Sequence, residues 1–72
     1  MKYYLVEIKN PNYPKPDYHN FGELSEEEFD KKIGYCKYPN NTVKVLKFNS
    51  EIEMMQKKFE VLENGMRIYS II

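Results

Sequence analysis

The sequence predicts an α+β domain, a small sheet with two helices packed on it in the order β-α-β-α-β. Three observations carry that expectation. Residues 2–9 and 42–48 alternate in the manner of strands. Ser25 and Ser50 each open a helix-capping pattern followed by apolar residues at helical spacing. Residues 66–72 return to a β-prone, apolar composition. With 72 residues the chain has room for one domain, residues 1–72, and no second core. So short a chain buries only about 60% of its unfolded surface, so its stability is expected to be marginal.

The first element is a strand from Lys2 to Lys9, with Tyr4, Val6 and Ile8 on one face. Leu5 falls on the other, more polar face, which suggests a strand covered on both sides. Residues 10–23 then read as a long loop. Pro11, Pro14 and Pro16 lack an amide donor and bias the preceding residue toward extended geometry, so no helix or central strand is expected there. About fourteen residues is long for a connection without structure, and such loops are usually functional or disordered. Tyr13, Tyr18 and Phe21 argue against disorder, because disordered segments are poor in aromatics.

Ser25-Glu26-Glu27-Glu28 is a capping box, and Leu24 with Phe29 has the spacing of a hydrophobic staple. Phe29, Ile33 and Cys36 form one apolar stripe, and Pro39-Asn40-Asn41 turns the chain. The second strand, Thr42–Phe48, puts Val43 and Val45 opposite Leu46 and Phe48. In the second helix Ile52, Met55, Phe59 and Leu62 lie on one face, which is expected to be the buried one. Asn64-Gly65 leaves two readings of residues 58–66 open. It is either a left-handed cap on a long helix or the turn of a hairpin, which would add a fourth strand. Met66–Ile72 is the last strand. An apolar terminal strand is expected to be central in its sheet or paired across an interface, which raises a homodimer as a possibility.

Composition excludes several classes of function. Eleven basic and eleven acidic residues give no net charge, so steering toward nucleic acid or an acidic membrane is not expected. Lys2, Lys9 and Lys15 with Tyr3, Tyr13 and Tyr18 supply the one alternative of that kind, a modest patch for single-stranded nucleic acid that Lys44 and Lys47 would extend only if the strands pair suitably. No run approaches the ~20 apolar residues of a membrane span. A lone cysteine without a signal peptide points to a reducing, cytoplasmic setting. Ten lysines against one arginine, with no alanine, is the bias of AT-rich codons and suggests an AT-rich bacterium or a mobile element such as a phage.

No catalytic residue, metal ligand set or cofactor site is expected. His19 and Cys36 are the single histidine and cysteine, and no local nucleophile signature surrounds either. Cys36 ends an apolar stripe, where cysteine acts as a small hydrophobe. Gly22, Gly34 and Gly65 are too scattered for a phosphate loop. The acidic residues near position 26 are explained by helix capping and have no calcium-loop spacing.

The remaining candidate is the tyrosine- and proline-rich loop. Tyrosine buries a large area with few rotatable bonds, and prolines reduce the entropy lost on binding. The expectation is a non-enzymatic protein-interaction domain, such as a small inhibitor, adaptor or subunit. Its partner-binding residues would be Tyr13, Lys15, Asp17, Tyr18, His19 and Phe21. The competing reading makes these aromatics a lid over a small core. A third possibility is a metabolite or enzymatic site completed only in an oligomer.

Overall fold

The structure, a computed structural model, describes residues 1–71. Its elements are β1 (Lys2–Lys9), β2 (Asp17–Leu24), α1 (Glu26–Lys32) continued by a 3-10 turn (Ile33–Cys36), β3 (Thr42–Phe48), α2 (Glu51–Glu63) and β4 (Ile68–Ser70). The four strands form one mixed sheet in the order β3-β1-β2-β4. The expected α+β architecture is present, with four strands and two helices.

β1 is antiparallel to both β2 and β3, and β4 is parallel to β2. The chain crosses from β2 to β3 through α1 and returns from β3 to β4 through α2. The direction across the sheet reverses, and so does the face that is covered. The two crossovers therefore share one hand, as the strong preference for a single handedness in such units demands. Two cores result. Tyr4, Val6, Ile8, Phe21 and Leu24 pack under Phe29, Ile33 and Cys36 of the α1 segment. Leu5 and Tyr18 pack under Met54 and Val61 of α2, with Leu46, Phe48 and Ile68 at the margin. The misplaced Leu5 of β1 is thus explained by a central strand covered on both faces.

The loop expected over residues 10–23 is shorter. Its prolines end at Pro16, and Asp17–Leu24 is an inner strand between β1 and β4. The alternation of β2 is broken by a bulge, since Tyr4 pairs with Gly22 but Leu5 with Asn20. Phe21 is the extra residue. Gly22 takes φ 72°, and its amide donates to the Asn20 side-chain oxygen at 2.9 Å. The bulge keeps Phe21 and Leu24, three positions apart, in the same α1-side core. A period of two cannot describe that pattern, which is why the strand is hidden in the sequence.

Both caps form as the sequence implies. The Ser25 hydroxyl accepts from the Glu28 amide at 3.2 Å while the Glu28 carboxylate accepts from the Ser25 amide at 3.4 Å. The Ser25 hydroxyl, which donates to the Glu28 carboxylate at 2.9 Å, and then the Ser25 amide hold that carboxyl below its ordinary pKa. At Ser50 the hydroxyl accepts from the Glu53 amide, and the Glu53 carboxylate reaches one residue further back, to the Asn49 amide. α2 runs to Glu63, which settles residues 58–63 as helix. It ends in a Schellman motif, with the Met66 amide donating to Val61 O and the Gly65 amide to Leu62 O, and Gly65 at φ 76°.

One assignment of faces is reversed. Ile52, Met55, Phe59 and Leu62 of α2 are exposed, and the helix instead buries Met54 and Val61. The short connections at Asn49–Ser50 and Asn64–Arg67 fix the roll of α2. Between Met54 and Val61 the helix carries the half-buried Lys57 and Lys58, a residue type that can cover apolar surface with its aliphatic stem. The last strand, expected to be central or paired across an interface, is a short edge strand. Ile72, within the expected last strand, lies outside the described residues.

Candidate functional site

Asn10–Pro16 forms a compact turn at one end of the sheet. The Asn10 side chain accepts from the Asn12 amide at 2.8 Å, and the Asn10 carbonyl accepts from the Tyr13 amide at 3.0 Å. Such Asx turns fix a loop without tertiary contacts. The far side of the turn is tied down by Lys15, whose ammonium donates to the Asn64 carbonyl at 2.9 Å. That carbonyl lies at the C-terminus of α2, where a cation also meets the negative end of the helix dipole. The Tyr18 amide donates to Arg67 O at 3.0 Å and starts the β2–β4 pairing.

Two grooves flank this turn and share Tyr13, Lys15 and Asp17. The first, of about 540 Å³, separates the turn from the α2–β4 connection and is completed by Met66, Arg67 and Tyr69. The second, of about 220 Å³, faces the end of the α1 segment and is completed by His19, Tyr35 and Tyr38. Tyr13, Tyr35 and Tyr38 are 66%, 74% and 63% exposed. Tyr69 is also exposed and bridges the two grooves by leaning on His19, with ring centroids 5.3 Å apart.

The electrostatics are mixed. Lys15 and Arg67 stand against Asp17. Burial holds the His19 imidazole below its ordinary pKa of 6.5, with Asp17 pulling the other way. Its Nδ1 is buried and has no hydrogen-bond partner among the described residues. The ring is therefore uncharged near pH 7 where it lines the smaller groove.

Of the six residues expected from the sequence, Tyr13, Lys15, Asp17 and His19 come together here. Tyr18 and Phe21 do not. Each is 3% exposed, and they lie in the two separate cores on opposite faces of β2. The lid reading was right that these two rings complete a core, but they do so from a strand. Tyr35, Tyr38, Arg67 and Tyr69 were missed. A signal existed for the first two, because Tyr35 and Tyr38 lie off the apolar stripe Phe29, Ile33, Cys36. A large aromatic placed off a buried stripe is presented to solvent.

The lysine and tyrosine patch considered for nucleic acid is dispersed. Lys2 and Lys9 stand at opposite ends of β1, roughly 23 Å apart at strand rise. Lys2 donates to the Asn49 side chain. Lys44 and Lys47 are an odd number of positions apart in β3 and so point to opposite faces. Cys36 is buried, and burial pushes its thiol pKa up, so the reactive thiolate is disfavoured. Among the described residues no three His, Cys, Asp or Glu side chains gather as metal ligands. No helix among them is long and apolar enough to cross a membrane. Comparison with protein-family models, with curated proteins and with solved structures finds no match.

Proposed function

We propose that this chain is a non-enzymatic protein-interaction domain that binds a protein partner through the double groove around Tyr13. The observation that carries the proposal is the gathering of exposed tyrosines, Tyr13, Tyr35, Tyr38 and Tyr69, at one end of a 72-residue domain. Exposed tyrosines on a preset frame are the composition of a contact surface, since each ring offers large area at small entropic cost. The frame is preset by Pro14 and Pro16, the Asx turn and the Lys15 tether. Open grooves of this shape fit side chains projecting from a partner, and Arg67 offers a planar fork for a carboxylate or carbonyl.

The narrower expectation of an inhibitor encoded by a mobile element belongs to the same proposal. The identity of the captured partner tests it. The test is affinity capture from cells of the source organism with three baits: the wild-type chain, the Tyr13→Ala/Tyr38→Ala variant, and the remote control Lys44→Ala. The expected result is a protein retained by the wild type and the control and lost from the double variant. A partner held equally by all three baits would overturn the assignment of the surface. Material that disappears on nuclease treatment would favour the single-strand nucleic-acid alternative, in which the same rings stack on bases.

A further inference from the structure

We propose that the outward face of α2 is a second, separate contact surface, and that its occupant is the α2 of a second copy of this chain. Ile52, Met55, Phe59 and Leu62 are between 40% and 68% exposed. At 100° per residue they lie about 130° around the helix from the buried line of Met54 and Val61. They form one stripe that takes no part in the core beneath the helix. The stripe leaves on the order of 400–500 Å² of apolar surface open, the size at which a patch on a lone domain marks a contact. α2 itself is lightly held, with Met54 and Val61 its only fully buried residues among thirteen.

The spacing of the stripe identifies the occupant. Its members are three, four and three residues apart, so the pattern reads the same in both directions about position 57. An antiparallel pair of identical helices with a dyad at that position sets Ile52 against Leu62 and Met55 against Phe59, each contact occurring twice. That is the self-complementarity an isologous interface requires. Two stripes face to face bury about 800–1,000 Å², near the lower limit for specific association, so the expected dimer is weak.

Charge bears on this arrangement at its ends, where the dyad brings Glu51 level with Glu63 of the second copy, so the dimer is expected to tighten with added salt. The stripe itself carries none, and Glu60 is already paired with Lys57 at 3.3 Å. The Glu53 carboxylate is engaged by the Asn49 amide. Gln56, next to the dyad, is neutral.

The test is sedimentation velocity on the full chain from roughly 1 µM to 1 mM, the range for an interface this small. Wild type is expected to shift from monomer to dimer across that range. Phe59→Glu is expected to stay monomeric with an unchanged circular dichroism spectrum. The Tyr13→Ala/Tyr38→Ala variant is expected to dimerise like wild type, which separates this surface from the tyrosine grooves.

Single-cysteine variants read the register independently of folding effects, because the native Cys36 is buried. A mixture of Met55→Cys and Phe59→Cys chains is expected to form a mixed disulfide under mild oxidation, since the dyad sets these two positions against each other. Ile52→Cys alone is expected not to cross-link, since antiparallel pairing separates the two copies by about 15 Å along the axis. A monomer at every concentration, a Phe59→Glu dimer, or Ile52→Cys cross-linking as readily as the Met55→Cys and Phe59→Cys mixture would each overturn the proposal.

Discussion

The Tyr18 hydroxyl donates a 2.5 Å hydrogen bond to Glu7 Oε2, its cross-strand neighbour in the β1–β2 ladder. The contact lies beneath α2. Burial, followed by this bond, pushes the phenol pKa well above its ordinary value of 10. Tyr18 is therefore a core residue with a polar anchor, five positions after a tyrosine that faces solvent.

Tyr18→Phe removes that bond and leaves a half-buried carboxylate without its donor. A bond to a charged acceptor at a partly solvated site is worth about 1–2 kcal/mol. The urea midpoint is expected to fall accordingly, with the slope unchanged and partner binding unaffected. A loss of binding without a loss of stability would move Tyr18 back to the contact surface.

The three glycines should respond differently to alanine. Gly22→Ala places a side chain at φ 72° within the bulge, and an L-residue held there costs about 1–2 kcal/mol. Gly65→Ala meets the same penalty and also sets its new Cβ 3.1 Å from Lys15 Nζ, disturbing the tether of the tyrosine turn. At Gly34 nothing lies within 4 Å of the added Cβ, so the substitution should be neutral or stabilising by up to about 1 kcal/mol. Chemical denaturation of the three variants checks the ranking.

His19 sets a pH dependence. Its pKa is lowered in the folded state from 6.5, so between those two values the unfolded chain binds more protons than the folded one. Stability is then fully present above pH 6.5 and declines as the pH falls below it, toward the lower folded value. The fall in urea midpoint between pH 6.5 and pH 5.5 is expected to be smaller in His19→Gln than in wild type. An identical fall in both would show that other groups carry it.

Much of the fold was legible because it rests on local chemistry. The Ser25 and Ser50 caps, the Asn64-Gly65 terminus and the two-sided burial of β1 all follow from short patterns whose partners are a few residues away. Two features were hidden for physical reasons. The bulge at Phe21 erases the alternation by which β2 would be recognised. The roll of α2 is set by crossover geometry, so its most apolar face turns outward and a weaker line, Met54 and Val61, is buried. The site was legible in part. Tyr13, Lys15, Asp17 and His19 are close in sequence, whereas Tyr35, Tyr38, Arg67 and Tyr69 are brought beside them only by the sheet.

The most direct test of the tyrosine surface is the affinity of the captured partner for wild type and for Tyr13→Ala/Tyr38→Ala, measured by titration calorimetry. Both side chains are largely solvent-exposed, so the variant should unfold within about 0.5 kcal/mol of wild type. Two central aromatic anchors lost from an interface predict at least a ~100-fold weaker Kd. Equal affinity for the two chains, with both folded, would contradict the account.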